Sequence, residues 1–176
     1  MPITTDITIL RQVSEPVWIS EMVSIYNQLL EEVENHPAAV GLSAIQIGIP
    51  KRVFIVKHFD GKGGFVWDCY ANPHIVTHTD TIKSDVEGCL SFPQIQVRIP
   101  RFLQITVETE FGIIEPAYEQ YVLYGLDSIV FQHELDHLNG VLFFDKGTVV
   151  SAPLERNDPC FCGSAKKFKK CCGRGM

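Results

Sequence analysis

The sequence lacks the features that would carry it into or across a membrane. No stretch approaches the run of about 18 consecutive apolar residues that a membrane span requires. The N-terminus, residues 1–6, does not show the basic segment followed by an apolar segment that is typical of a signal peptide. We therefore expect a cytoplasmic protein without a membrane partner.

Positive charge is also in short supply. The chain has 15 lysine and arginine residues against 21 acidic residues, a formal net charge of −6, which argues against nucleic-acid binding by the whole chain. The glycine-rich turn at residues 58–64 has no phosphate-loop pattern. Six cysteines in a cytoplasmic protein are more often metal ligands or free thiols than disulfides. With 176 residues, the chain can form one ordinary domain and a small appendage.

The pattern that organises the sequence is H-E-x-x-H, at residues 133–137. On a helix, residues four apart lie on one face, so His133 and His137 can hold one metal ion through two imidazoles. Glu134 lies about 100° further around the helix, beside the metal, where a carboxylate can act as a general base. We predict that Asp127 caps the start of this helix and that Asn139-Gly140 ends it. Its apolar face comprises Leu126, Ile129 and Val130.

Two imidazoles do not complete a hydrolytic metal site, which usually has three protein ligands and an open position. The extended pattern H-E-x-x-H-x-x-G-x-x-H would supply a third histidine at position 143, but that residue is Phe143. The third ligand must come from elsewhere in the chain. Cys89, which follows Gly88, is a candidate because a thiolate pairs well with two imidazoles on zinc or iron. The alternative for Cys89 is a buried free thiol.

Hydrophobic periodicity predicts two helices and several strands. The first helix is capped by Ser20, runs to Val33 and ends at His36-Pro37, and the second carries the H-E-x-x-H pattern. A turn is predicted at Phe111-Gly112, and strands are predicted at residues 52–56, 65–70, 75–79, 102–110, 119–124 and 141–144. Strands around two helices indicate an α+β domain that ends near residue 148.

Gln46 is a single amide in an apolar segment rich in small residues, at residues 38–48. A buried amide must find hydrogen-bond partners, so the residues alone favour a role for Gln46 in bracing a loop. A direct role in the metal site is the alternative.

Three segments together resemble peptide deformylase. The family has the segments G-x-G-x-A-A-x-Q, E-G-C-L-S and Q-H-E-x-D-H in this order, and here they stand at residues 39–46, 87–91 and 132–137. The resemblance covers roughly residues 8–148 and implies an α+β fold of mostly antiparallel sheets packed around a central metal-binding helix. It also implies removal of the formyl group from the N-terminal formyl-methionine of newly synthesised polypeptides, with release of formate.

The resemblance also implies a role for individual residues. Glu134 would be the general acid and base, and Gln46 and the backbone N–H of Leu90 would face the formyl oxygen. The catalytic metal, commonly ferrous iron with zinc or nickel tolerated, would be bound by Cys89, His133 and His137. The pocket for the methionine side chain would include Gly41, Ile129 and Val130.

The chain departs from the family pattern in a few places. Ala39 and Ser43 replace a glycine and an alanine, and Gln96 stands where many members have an arginine. Arg98 and Arg101 are candidates to compensate for Gln96. Two other functions remain as alternatives, a binding protein that has lost catalysis and a metallopeptidase. The intact Glu134, Gln46 and Cys89 argue against the binding protein. Phe143 in place of a third histidine, together with the presence of Cys89, argues against the metallopeptidase.

The C-terminal segment has a separate pattern, C-x-C, eight residues, then C-C. Four thiols so close in sequence are typical of a tetrahedral structural zinc site, whose ligands would be Cys160, Cys162, Cys171 and Cys172. The alternative is a disordered basic tail. The segment resembles the SEC-C motif. We therefore predict a catalytic domain at residues 1–148, a linker at 149–156 and a zinc-binding motif at 157–174.

The charge of this tail predicts a docking role. Residues 156–174 contain six basic residues and one acidic residue, a net charge of +5, which leaves nine basic and 20 acidic residues, or −11, for the remainder. A basic segment on an acidic protein can contact phosphates, so the ribosome is the leading candidate partner. An acidic protein surface is the alternative.

Overall fold

The computed structural model describes residues 2–111 and 117–176. Within them, the α-helices are α1 Ile7–Leu10, α2 Ile19–Glu34, α3 Gly125–Leu138 and α4 Phe143–Lys146. The strands are β1 Gly41–Ser43, β2 Val53–Phe59, β3 Phe65–His78, β4 Ile82–Cys89, β5 Phe92–Phe102, β6 Gln104–Phe111, β7 Ala117–Tyr124 and β8 Thr148–Ser151. Short 3-10 helices are formed by Ala44–Ile47, Phe168–Lys170 and Cys172–Gly175.

The strands form two antiparallel sheets. One has the order β1-β2-β3-β6-β7, and the other has the order β4-β5-β8. Helix α3 packs against strands of both sheets and against the turn after β1. The predicted α+β fold of antiparallel sheets around a central helix is therefore confirmed. Among the described residues, no helix combines the length and the apolar character needed to cross a membrane.

Helix α3 is held in place by buried aromatic contacts. Phe131 is fully buried, and its ring meets those of Phe54 and Tyr70 edge-on, at centroid distances of 5.0 and 5.1 Å. Gly140 ends the helix as predicted, with φ of +67°. A Cβ at this position would lie 2.5 Å from the carbonyl oxygen of Arg11, so the close approach of the two segments requires glycine.

The predicted helix starts were wrong. Helix α3 begins at Gly125, whose φ of +56° turns the chain directly out of β7, and Asp127 lies within the first turn. Its carboxylate is 3.0 Å from Nδ1 of His58, so Asp127 pairs with a neighbouring strand and does not cap the helix. Helix α2 begins at Ile19, one residue before Ser20, and the side chain of Glu21 accepts a hydrogen bond from the Trp18 N–H at 3.1 Å.

Three strand predictions also differ from the structure. Strand β3 is continuous where two strands were predicted, because Asn72, with φ of +46°, allows an irregularity in the strand without ending it. The apolar run at 141–144 ends in helix α4, where Asp145 accepts a hydrogen bond from the Leu142 N–H at 2.8 Å. The hairpin of β4 and β5 was not predicted. Gly112, in the predicted turn, lies outside the described residues.

The C-terminal tail packs on the three-stranded sheet. Strand β8 pairs with β5, with Ser151 opposite Gln96, so residues 149–151 of the predicted linker belong to a sheet. Beyond it, Cys160 and Phe168 are buried in one hydrophobic cluster with residues of α4, β5 and β8. The boundaries of the predicted domains stay a prediction.

Candidate metal centre

The structure brings the three candidate ligands of the catalytic metal together. Cys89 is the last residue of β4, and His133 and His137 project from α3. Their ligand atoms all lie within 4.8 Å of one another, and Cys89 Sγ is 3.3 Å from His137 Nε2. One thiol and two imidazoles form a donor set that suits zinc or iron.

A buried carboxylate fixes the orientation of His133. Nδ1 of His133 is 2.8 Å from Oε2 of Glu87, so this nitrogen donates a hydrogen bond and Nε2 is free to bind a metal. Burial opposes ionisation of Glu87, but the hydrogen bonds from His133 and Arg101 lower its pKa to about 2. Glu87 is therefore an anion near neutral pH that stabilises the imidazole in one orientation.

Glu87 belongs to a buried ion-pair network. Arg101 binds it through Nε and Nη2, at 2.8 and 3.0 Å, and reaches Oδ2 of Asp136 through Nη1 at 2.6 Å. Lys146 binds the other oxygen of Asp136 at 2.6 Å. Sequence reasoning missed this network, although Glu87 and Asp136 lie in two of the three family segments. Arg101 is only 3% exposed and fully paired, so it does not compensate for Gln96.

Glu134 lies beside the candidate ligands in a tight, buried position. Its Oε2 is buried and has no hydrogen-bond partner among the described residues. Burial raises the pKa of Glu134 to about 7. A Cβ on Gly41 would lie 2.6 Å from Oε1 of Glu134 and 2.7 Å from Val130, so only glycine allows β1 to approach this carboxylate. A carboxyl group with this pKa can both accept and donate a proton near neutral pH.

The contacts of Gln46 fit both alternatives that the sequence left open. Its Oε1 accepts hydrogen bonds from the N–H and the hydroxyl of Ser43, at 2.9 and 2.8 Å, which braces the turn after β1. Its Nε2 lies 3.6 Å from Cys89 Sγ and 3.3 Å from Ser91 Oγ. The brace therefore holds the donor end of the amide against the metal centre.

A cavity of about 690 Å³ opens over these groups. It is lined by each predicted pocket residue, namely Gly41, Ile129 and Val130, and also by Gln46, Cys89, Leu90, His133 and Glu134. Leu126 lines it too, although this side chain is 62% exposed. Sequence reasoning missed most of the lining residues that β5 and β8 supply, because their pairing was not predicted; the missed residues include Phe92, Gln94, Ile95 and Ser151.

Comparison with known proteins decides the family. The model of the polypeptide deformylase family matches residues 2–152. This chain is a member of the polypeptide deformylase family. The match confirms the resemblance, and the family consists of metal-dependent hydrolases that remove the N-formyl group from newly synthesised polypeptides. The chain is such a hydrolase.

Individual deformylases show the same likeness. The chain is 38% identical to the peptide deformylase of Rhizobium meliloti, with 78% of each chain covered. It is 36% identical to peptide deformylase 2 of Bacillus anthracis, with 78% of this chain and 83% of the relative covered. The solved structure of a probable peptide deformylase from Synechococcus phage S-SSM7 matches with a TM-score of 0.71 and 34% identity, over 82% of this chain and 97% of that one.

Beyond the deformylase region, the SEC-C motif matches residues 156–174. The four cysteines of the tail lie together, with all their sulfur atoms within 4.8 Å of one another, and these residues are Cys160, Cys162, Cys171 and Cys172. Burial opposes ionisation of Cys162, but hydrogen bonds with Ser164 and other cysteines lower its pKa to about 7. Four sulfur donors at such distances suit tetrahedral zinc.

Proposed function

We propose that this deformylase holds one divalent metal ion on Cys89, His133 and His137 and uses Glu134 as its acid and base. The observation that carries this proposal is the convergence of the three ligand atoms, within 4.8 Å of one another, beside a buried carboxylate oxygen of Glu134 that has no hydrogen-bond partner in the described part of the chain. Iron, zinc and nickel all suit this donor set, and ferrous iron is the ion we expect in the cell.

A bound divalent ion supplies Lewis acidity and lowers the pKa of a water molecule. Glu134 takes a proton from the water that attacks the formyl carbon and returns it to the leaving amine. The carbon–nitrogen bond breaks, and formate and a free amino group are released. In this proposal, Nε2 of Gln46, which lies 3.6 Å from Cys89 Sγ, and the N–H of Leu90, a residue of the cavity wall, donate hydrogen bonds to the negatively charged oxygen that forms on the formyl carbon.

The cavity is the proposed binding site for the methionine side chain of the substrate. The methionine side chain packs against the apolar groups of Ile129 and Val130, and Gly41 lines the cavity where its lack of a side chain lets β1 lie directly against Glu134. The substrates are therefore formyl-methionyl chains emerging from ribosomes, which implies action in the cytoplasm.

The activity is tested with the purified full-length protein and formyl-Met-Ala-Ser. We expect formate release with the iron, nickel or zinc form, and no release from the same peptide without a formyl group. Absence of turnover with all three metals would contradict the proposed function. Cleavage of the peptide bond after methionine would support a peptidase.

The tail adds a structural zinc ion and, we propose, a contact with the ribosome. Zinc on four thiolates contributes a local charge of −2, so the folded tail retains a charge of about +3. Exposed lysines, including Lys166 and Lys167, can contact the phosphates of ribosomal RNA. The acidic catalytic domain without the tail would be repelled by the phosphates of ribosomal RNA.

Matched charge variants test the ribosome contact. Lys166→Gln with Lys167→Gln removes two exposed charges from the tail, and Lys62→Gln with Lys83→Gln removes two from the body. In co-sedimentation at low and moderate salt, the tail variant should bind ribosomes less well than the body variant. The slope of log binding constant against log salt should be smaller for the tail variant, as expected for about two fewer phosphate contacts. Equal pelleting of both variants and the native protein would end the proposal.

A further inference from the structure

The cysteine tail closes a hydrophobic core of the catalytic body. Phe161 lies between the two parts, with its ring 4.9 Å from that of Phe144 in α4 and 5.8 Å from that of Phe168 in the tail. Phe168 is 3% exposed. Both tail phenylalanines pack in the cluster that contains the buried residues of β5 and β8, namely Ile95, Val97, Ile99 and Val149. The tail therefore covers apolar surface of the body that would otherwise face solvent.

We call the contact between Phe161 of the tail and Phe144 of α4 the seam. Aromatic contacts continue from the seam to the metal centre. The ring of Phe144 meets that of Phe92 edge-on at 5.1 Å, and Phe92 lines the substrate cavity. The ring of Phe143 is 5.9 Å from Phe92 and also 5.9 Å from His133. Because packed side chains have little room to shift independently, a displacement at the seam is passed to the cavity wall.

The last turn of the tail reaches a second part of that wall. The 3-10 helix Cys172–Gly175 packs on β8, and a Cβ on Gly175 would lie 3.0 Å from Cγ2 of Thr148. Three residues further along β8, Ser151 pairs with Gln96, and both side chains line the cavity. The tail thus contacts the strand that forms one edge of the cavity.

We propose that the folded tail positions the substrate cavity of this deformylase, through Phe161 on α4 and through its last turn on β8. This proposal rests on the proposed function, since its kinetic effect is measured on formyl-Met-Ala-Ser. A tail of this length has no core of its own, so a metal ion on its four cysteines supplies its folding energy. The metal state of the tail is then coupled to the affinity of the active site for its substrate.

Phe161→Ala in the full-length protein is the test. It removes the ring at the seam but leaves all seven candidate metal ligands, Glu134 and Gln46 in place. We expect the melting temperature to fall by roughly 5 °C. We expect KM to rise about tenfold because the cavity wall shifts, with kcat within about twofold of the native value. Phe161→Leu, which keeps an apolar contact, should restore much of the native melting temperature and much of the native KM.

The control is Phe65→Ala, which removes an exposed ring that contacts Phe59 in the other sheet. It should change neither KM nor hydrogen exchange in β8, whereas Phe161→Ala should speed the exchange of the Val149 amide. A lower melting temperature with unchanged KM and exchange would reduce the tail to a stabilising element and overturn the proposal. Native protein without turnover would refute the proposed function instead, and exchange at Val149 would still decide whether the tail holds β8.

Discussion

The two candidate metal clusters among the described residues are built in opposite ways. Cys89 and His137 are 48 positions apart and come from a strand and a helix that the whole fold holds together. The four tail cysteines all lie between residues 160 and 172, in irregular segments, turns and a short 3-10 helix. In the first cluster, Glu87, Arg101 and Asp136 support the ligands with buried ion pairs. We infer that the fold preorganises the catalytic centre, whereas metal binding organises the tail.

The largest expected effect tests whether Cys89 belongs to the preorganised cluster. Cys89→Ala leaves two imidazoles, which do not complete a catalytic site. The bound metal should fall from two ions per chain to one, and deformylation should be lost. Metal analysis of the purified full-length protein measures this change. If both ions remained, Cys89 would not be a ligand.

Glu134→Ala tests the claim that this carboxylate acts on protons and does not bind metal. The variant should keep both metal ions, and kcat should fall by roughly 10³–10⁴ because the general base is missing. Glu34→Ala, on the exposed side of α2, is the matched control and should leave kcat unchanged. Native kcat in the Glu134 variant would show that another group accepts the proton.

Gln46→Ala separates the two uses of one amide. If Nε2 stabilises the oxyanion, kcat should fall by roughly 10²–10³. Loss of the hydrogen bonds between Oε1 and Ser43 should lower thermal stability as well. Gln46→Glu keeps an acceptor for Ser43 but removes the donor, so it should lose activity too. A change confined to thermal stability in both variants would leave Gln46 as a brace alone.

The ion-pair network offers a smaller and more specific test of preorganisation. Glu87→Gln replaces the anion that orients His133 and pairs with Arg101. Variants of this kind typically lose about 10–100-fold in metal affinity. Titration with a competing chelator should show this loss at the catalytic centre, whereas the tail ion should be held as before. The exposed Glu31→Gln is the control, and equal affinities in both variants would mean that the network does not orient the ligand.

The sequence was sufficient where a spacing determines geometry. The separation of four positions from His133 to His137 places both on one face of a helix, and the C-x-C and C-C pairs bring four sulfurs together locally. It was insufficient where partners are distant in the chain. The hydrogen bond between His133 and Glu87 joins residues 46 positions apart, through a hairpin that periodicity did not reveal. A short apolar run such as residues 141–144 shows no hydrophobic periodicity, so the pattern cannot distinguish a strand from a buried helical turn.

The smallest expected effect on catalysis comes from the tail. Cys171→Ala combined with Cys172→Ala leaves two sulfur ligands, so the tail should lose its zinc and its folded structure. The metal content should fall from two ions to one, as it does for Cys89→Ala, but kcat should stay within about twofold because the catalytic ligands are intact. KM should rise about tenfold, since an unfolded tail no longer holds α4 and β8. Cys69→Ala, which removes a thiol outside both clusters, should leave two ions and native kinetics. A loss of kcat comparable to that of Glu134→Ala would mean that the two clusters are not independent, and that the catalytic centre itself depends on metal in the tail.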